Sequence, residues 1–219
     1  MTKAVPMPAA GEAVAVVAIC FGWFIYASVY AVAAGFPSGG SFNDASLIGV
    51  MVTELVFGAL ALALLRYRGH NLSTLLPSPD WRGCAEGVCL YLATIVVWYV
   101  VWQALPSHHY ADQPVAKMLT HSHPTLAIII AVSMVNGLYE ETFLVGYLVK
   151  GFTTLGAPIA LGISALVRLM YHLYQGPDGA VSALVFGLVL SFFYWHFRKL
   201  WPVVFAHTLA DAVAFASLT

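Results

Sequence analysis

Charged residues are scarce in this chain of 219 residues, since Asp, Glu, Lys and Arg together make up only 9% of it. A soluble globular domain carries roughly 25% charged residues, so this chain has too little polar surface to cover a water-soluble body. Its 9 Lys and Arg residues nearly balance its 10 Asp and Glu residues. Without an excess of positive charge to neutralise phosphates, we expect no nucleic-acid partner.

Cysteine is also rare, and the spacing of the three cysteines excludes two kinds of site. Cys20, Cys84 and Cys89 form neither a CxxC pair nor a zinc-ligand pattern. They are interpreted as small buried apolar residues. The chain has no internal repeat either, which argues against the inverted repeats common in secondary transporters.

Long apolar stretches fill the rest of the sequence, which is 61% hydrophobic with a mean hydropathy of +0.84. A bilayer core of about 30 Å requires such stretches to be some 20 residues long. The sequence therefore predicts an all-α, polytopic transmembrane helix bundle of about seven spans, forming a single integral membrane domain over residues 1–219. The predicted spans are Glu12–Ala34, Ala45–Leu65, Ala85–Leu105, Pro124–Val149, Ala157–Leu173, Gly179–Phe197 and Leu200–Leu218.

The basic residues predict the orientation of these spans, because cytoplasmic loops carry the excess of Lys and Arg. A cytoplasmic N-terminus leaves only Lys117 in an outer loop. The first span is too long for the apolar region of a signal peptide, so we expect a retained anchor. The residues placed on the cytoplasmic side are Lys3, Arg66, Arg68, Arg82, Lys150, Arg198 and Lys199.

A few ionisable residues interrupt the spans. Each costs at least about 2.5–3.5 kcal/mol at the bilayer centre and so indicates a functional site. Six of the seven fall in the last four spans, which predicts a bundle closing around a polar cavity. Glu54 stands alone in its span and is interpreted as an interhelical contact. The seven residues are Glu54, Glu140, Glu141, Arg168, His172, His207 and Asp211.

The spacing of these residues indicates how they could act together. Arg168 and His172 are four residues apart, as are His207 and Asp211, so each pair shares one helix face. Glu140 and Glu141 point about 100° apart, so one is a candidate base and the other a supporting contact.

These residue types fit peptide hydrolysis. A buried glutamate can remove a proton from water, and imidazoles from neighbouring helices can stabilise the resulting oxyanion. The candidate catalytic residues are Glu140, His172, His207 and Asp211, supported by Glu141 and Arg168. Four further histidines, favoured as solvated loop residues over a metal site, are His108, His109, His121 and His123.

Three strings in these spans, YEETFLVGYL, RLMYHLYQGP and FAHTLAD, resemble the motifs of the CPBP family, which are approximately EExxxR, FxxxH and HxxxN or HxxxD. This family comprises the type II CAAX prenyl proteases and bacterial proteins linked to bacteriocin processing and immunity. The resemblance covers about residues 124–218, which are predicted to form the catalytic core. The HLYQGP string is more similar to the bacterial members, so we expect a bacterial inner membrane protein.

The resemblance implies an intramembrane endopeptidase in which Glu140 activates water while His172, His207 and Asp211 bind the oxyanion. Its substrate would be a peptide or membrane protein, which could carry a lipid. Members have also been described as metalloproteases, and zinc bound by Glu140, His172 and His207 is the alternative. No HExxH spacing is present, so we expect no required cofactor.

The sequence departs from the family pattern at two positions. Val145 stands where EExxxR has arginine, and Arg168 stands where FxxxH has phenylalanine. The departures suggest that Arg168 reaches across to Glu141 from the neighbouring span. Counted along the predicted helices, Glu140 lies about 15 Å and His172 about 23 Å from the cytoplasmic ends of their spans. Tilt or a dipping loop would have to absorb this difference.

Two other functions use the same residues. A proton- or ion-coupled transporter could employ the buried Glu, Arg and His side chains as a relay. A catalytically inactive membrane scaffold is the second alternative, because Val145 replaces the motif arginine.

Overall fold

The computed structural model describes residues 8–36, 41–104 and 113–217, and the regular structure within these ranges is entirely helical. The all-α prediction is confirmed there. Lys3, His108 and His109, which entered the predictions above, lie outside the described residues. The α-helices are α1 (Ala10–Ala33), α2 (Asp44–Tyr67), α3 (Trp81–Ala104), α4 (Pro114–Thr120), α5 (Leu126–Glu141), α6 (Lys150–Phe152), α7 (Ala157–His172), α8 (Pro177–Phe197) and α9 (Trp201–Ala216).

Six helical segments in the described part of the chain are long and apolar enough to cross a membrane. The first three contain 24 residues each, which at 1.5 Å per residue exceeds the bilayer core of about 30 Å. The seventh predicted span corresponds to α9, which is apolar but has only 16 residues. The structure is thus consistent with about seven spans and with an integral membrane protein.

The fourth span is the central helix of the bundle. It runs from Leu126 to Leu155, and 61% of its apolar window is buried, against 17% to 33% for the other spans. Its middle part, Thr142–Val149, is a π-helix in which every residue is buried. Because π-helical turns occur frequently at functional sites, this segment directs attention to the glutamates that precede it.

Glycines fix where the two following helices begin. Gly156 and Gly176 have φ angles of 90° and 86°, which glycine adopts without steric cost. A proline follows within the first turn of both α7 and α8, where its missing N–H costs nothing. The end of α7 at His172 is set by the turn Leu173–Gln175 that leads to Gly176.

Basic side chains gather at one end of the bundle. Arg68 pairs with Glu12 at 3.1 Å, and Lys150 Nζ donates to the backbone oxygen of Thr74 at 2.5 Å. Lys199 pairs with Glu86 at 2.5 Å. The opposite end contains contacts such as that of Thr125 N with Asp44 Oδ1 at 2.8 Å. This separation is what the predicted orientation requires, and the orientation itself stays a prediction.

Candidate active site

Arg168 of α7 binds both adjacent glutamates of α5. Its Nη1 donates to Glu140 Oε2 at 2.9 Å, and its Nη2 donates to Glu141 Oε1 at 2.6 Å. The predicted contact between Arg168 and Glu141 is confirmed, and the contact with Glu140 was not foreseen. A planar guanidinium presents several donors in a fork, so it can bridge two carboxylates that leave their helix in different directions.

His207 of α9 completes this network from a third helix. Its Nδ1 lies 2.6 Å from Glu141 Oε1, and its Nε2 lies 3.9 Å from Glu140 Oε2 and 3.7 Å from Asp211 Oδ2. Because an ionised carboxylate only accepts hydrogen bonds, Nδ1 carries a proton in this arrangement. Glu141 therefore orients the imidazole so that Nε2 faces Glu140 and Asp211.

The two glutamates differ in what they can reach. Glu140 lines a cavity of about 1640 Å³, whereas Glu141 is completely buried and is not among the lining residues. The other predicted catalytic candidates, His172, His207 and Asp211, also line this cavity. It exceeds the size of typical small-molecule pockets, roughly 300–1,000 Å³, so a peptide segment can fit beside Glu140.

Two polar residues that the sequence interpretation missed belong to this site. Tyr171 donates a short hydrogen bond to Glu140 Oε2, and Asn136 Nδ2 donates to Asp211 Oδ2 at 2.7 Å. Asn136 precedes Glu140 by one helical turn and so shares its face. The four-residue spacing from Glu140 could have identified Asn136 as a site residue. For Tyr171, the only sequence signal was its position next to His172.

His172 lies at the cavity, at the same depth as Glu140. One predicted span has to be corrected to explain this. The fourth span does not end at Val149 but continues to Leu155, so Glu140 also lies about 23 Å from the end of its helix at 1.5 Å per residue. The expected mismatch in depth with His172 is therefore wrong. His172 Nδ1 lies 2.9 Å from the backbone oxygen of Arg168, which fixes the ring at the end of α7.

The path of the Arg168 side chain depends on Gly187 of α8. A Cβ added at Gly187 would overlap Cδ and Nε of Arg168. We expect Gly187→Ala to displace the guanidinium and to lower the free energy of unfolding by about 1–3 kcal/mol, as overpacking does.

Thermal unfolding in detergent tests this expectation, with Gly162→Ala as the matched control. An added Cβ at Gly162 of α7 meets nothing within 4 Å, so that variant should be at least as stable as the parent because alanine favours helix. Equal midpoints for the two variants would show that Gly187 is not needed for the placement of Arg168.

The carboxylates that could bind a metal ion already accept hydrogen bonds from Arg168. Within the described ranges, ligand atoms of Glu140, Glu141 and His207 lie within 4.8 Å of one another. This differs from the alternative set predicted above, in which His172 was the third ligand. Arg168 already donates to both carboxylates, so a metal ion would have to displace the guanidinium or bind beside it as a second cation.

Residues 122–213 match the family described as type II CAAX prenyl endopeptidase Rce1-like. The match covers less than half of the chain, but it runs from α5 into α9 and includes all three motifs. It confirms the resemblance to the CPBP proteases. No curated protein and no solved structure matches the chain.

The matched family is one of CAAX prenyl endopeptidases, and the matched region contains helices long and apolar enough to cross a membrane. The residue found at the motif arginine position, Val145, is fully buried in the π-helix. Arg168 supplies a guanidinium to the glutamates from α7 instead.

Proposed function

We propose that the chain is an intramembrane endopeptidase in which Glu140 activates a water molecule without a metal ion. Glu140 Oε2 accepts hydrogen bonds from Arg168 and Tyr171, while Oε1 has no partner among the described residues. The observation that carries this proposal is the placement of Glu140 on the cavity wall with its second oxygen free. The single membrane domain 1–219 would contain the catalytic core 124–218.

The reaction uses this free oxygen. Glu140 Oε1 removes a proton from water as the water oxygen bonds to the peptide carbonyl carbon, and the carbonyl electrons move onto oxygen. The C–N bond then breaks, and Glu140 returns its proton to the leaving amine. Arg168 donates a hydrogen bond to Glu140 and another to Glu141, so its positive charge is shared between the two carboxylates.

The oxyanion requires donors on the opposite side of the carbonyl. His207 Nε2 and the amide of Asn136, which are 3.5 Å apart, face the cavity together with His172. An imidazolium donates from both ring nitrogens, and the Nδ1–H of His207 already donates to Glu141. Asp211 accepts from Asn136, so we assign it to orienting these donors, which stabilise the developing charge.

The reason for considering an inactive scaffold was the loss of the motif arginine. Arg168 pairs with both glutamates from α7, so the loss of the motif arginine does not leave them without a cation. A proton- or ion-coupled transporter would use the same residues, and experiment can distinguish it from a peptidase. Purified protein should cleave members of a quenched peptide library in detergent and give no ion flux in liposomes. Flux without cleavage would favour the transporter.

The library should contain pairs of peptides with and without a prenyl group on cysteine, because the cavity wall is rich in aromatic side chains that could contact a lipid. Faster cleavage of the prenylated member would show that the substrate carries a lipid. We place the protein in a bacterial inner membrane, and fractionation of cells expressing it tests that assignment.

A chelator should leave the activity unchanged, since water activation is assigned to a carboxylate and not to a Lewis acid. Activity is measured after dialysis against EDTA and then after addition of zinc. Loss of cleavage on dialysis, restored by zinc alone, would contradict the metal-free mechanism.

A further inference from the structure

Glu54 is a buried carboxyl group that the proposed mechanism does not use. It lies near the middle of α2, is only 3% exposed, and lines the same cavity as Glu140 and Asp211. A carboxylate at this depth costs about 2.5–3.5 kcal/mol, so it requires an explanation.

Glu54 differs from Glu140, Glu141 and Asp211 in its partners. Glu140 and Glu141 bind Arg168, and Asp211 binds Asn136. Glu54 forms no hydrogen bond with any described residue, and its Oε2 is buried without a partner. The interpretation of Glu54 as an interhelical contact is therefore wrong for the described part of the chain.

The charges around Glu54 specify the kind of group that would satisfy it. Glu54 shares the wall of one cavity with two further carboxyl groups, those of Glu140 and Asp211. Arg168 is already shared between two carboxylates, and Lys117 of α4 lines the same cavity without forming an ion pair with Glu54. Within the described ranges, Glu54 therefore has no cationic partner.

We infer that Glu54 forms a subsite for a protonated amine or guanidinium, and that it selects substrates with a lysine or arginine side chain near the scissile bond. This inference rests on the proposed function, since it names the substrate class of the same cavity. A charge-assisted hydrogen bond to a carboxylate is stronger than a neutral one. The cationic side chain would enter with the peptide and occupy the part of the cavity beside Glu54.

Binding is measured first, so that the test does not depend on turnover. The inactive background Glu140→Gln is titrated with fluorescent peptides in which one position carries lysine or N-acetyl-lysine, scanned along the peptide. At one position we expect lysine to bind about tenfold more tightly, the lower limit for a hydrogen bond to a charged group. In Glu140→Gln with Glu54→Gln the ratio of the two affinities should fall to about one.

The matched control is Glu86→Gln in the same background, because Glu86 is a half-exposed carboxylate on α3 that pairs with Lys199. This control should keep the preference for lysine. A merely structural role for Glu54 would change thermal stability but not the ratio. Equal binding of the two peptides at every position, or a preference that survives Glu54→Gln, would overturn the inference.

Cleavage by the parent protein separates this inference from the proposed function. Cleavage without discrimination between lysine and N-acetyl-lysine would refute the subsite alone. Discrimination in binding without any cleavage would refute the peptidase and leave the subsite standing. Charge reversal is the second variant: Glu54→Lys should favour a peptide with glutamate at the position where the parent favours lysine.

Discussion

Glu140→Gln should reduce peptide hydrolysis by at least about 10²- to 10⁴-fold, the contribution typical of a positioned base. The variant should still fold, because the amide oxygen of glutamine can accept the hydrogen bonds that Arg168 and Tyr171 donate to Oε2. Only the capacity to take a proton from water is lost. Initial rates on a cleaved library peptide and the thermal midpoint of each variant are the measurements.

The control for this prediction is Glu86→Gln, which removes a carboxylate that lies outside the cavity. It should hydrolyse the peptide at the parent rate. Substantial residual turnover by Glu140→Gln, with the fold intact, would refute the assignment of Glu140 as the base.

Arg168→Phe should lower the free energy of unfolding by about 3–5 kcal/mol and abolish activity. Removing one partner of a buried ion pair has this cost because it strands the remaining charge, and here two carboxylates lose the same cation. The exposed pair of Lys199 with Glu86 provides the comparison, since its loss through Lys199→Gln should cost about 0–1 kcal/mol.

The double change Val145→Arg with Arg168→Phe returns both positions to the family pattern. If the two arginine positions are equivalent, the double variant should recover much of the lost stability and activity, a coupling of about 0.5–3 kcal/mol. A full cycle over the four proteins measures this coupling in detergent. A double variant no better than Arg168→Phe would mean that α7 supplies something an arginine on α5 cannot.

The spans and the three motifs were predictable because both are properties of single helices. Apolar length predicts a span, and a four-residue spacing predicts that His207 and Asp211 share a face. The end of the fourth span was misplaced at Val149 because the following turn, Lys150 to Leu155, contains a charge and a glycine. The helix continues there, and Lys150 donates to the backbone oxygen of Thr74.

Contacts between helices were harder to predict. Helical periodicity separates Glu140 from Glu141 by about 100°, and it gives no sign that one guanidinium can reach both. Asn136 was overlooked because a single amide in a transmembrane helix is usually an interhelical contact. Glu54 was interpreted as an interhelical contact because a sequence does not show whether a buried carboxyl group forms a hydrogen bond. Within the described residues it forms none.

The most direct test of the central claim is a single turnover in water enriched with ¹⁸O, followed by mass spectrometry of the product and the protein. If Glu140 activates water, one ¹⁸O atom appears in the new carboxylate of the product during the first turnover, and none appears in the peptide of the protein that contains Glu140. Label found first in Glu140, with unlabelled product, would show that the glutamate attacks the substrate itself and would contradict the proposed mechanism.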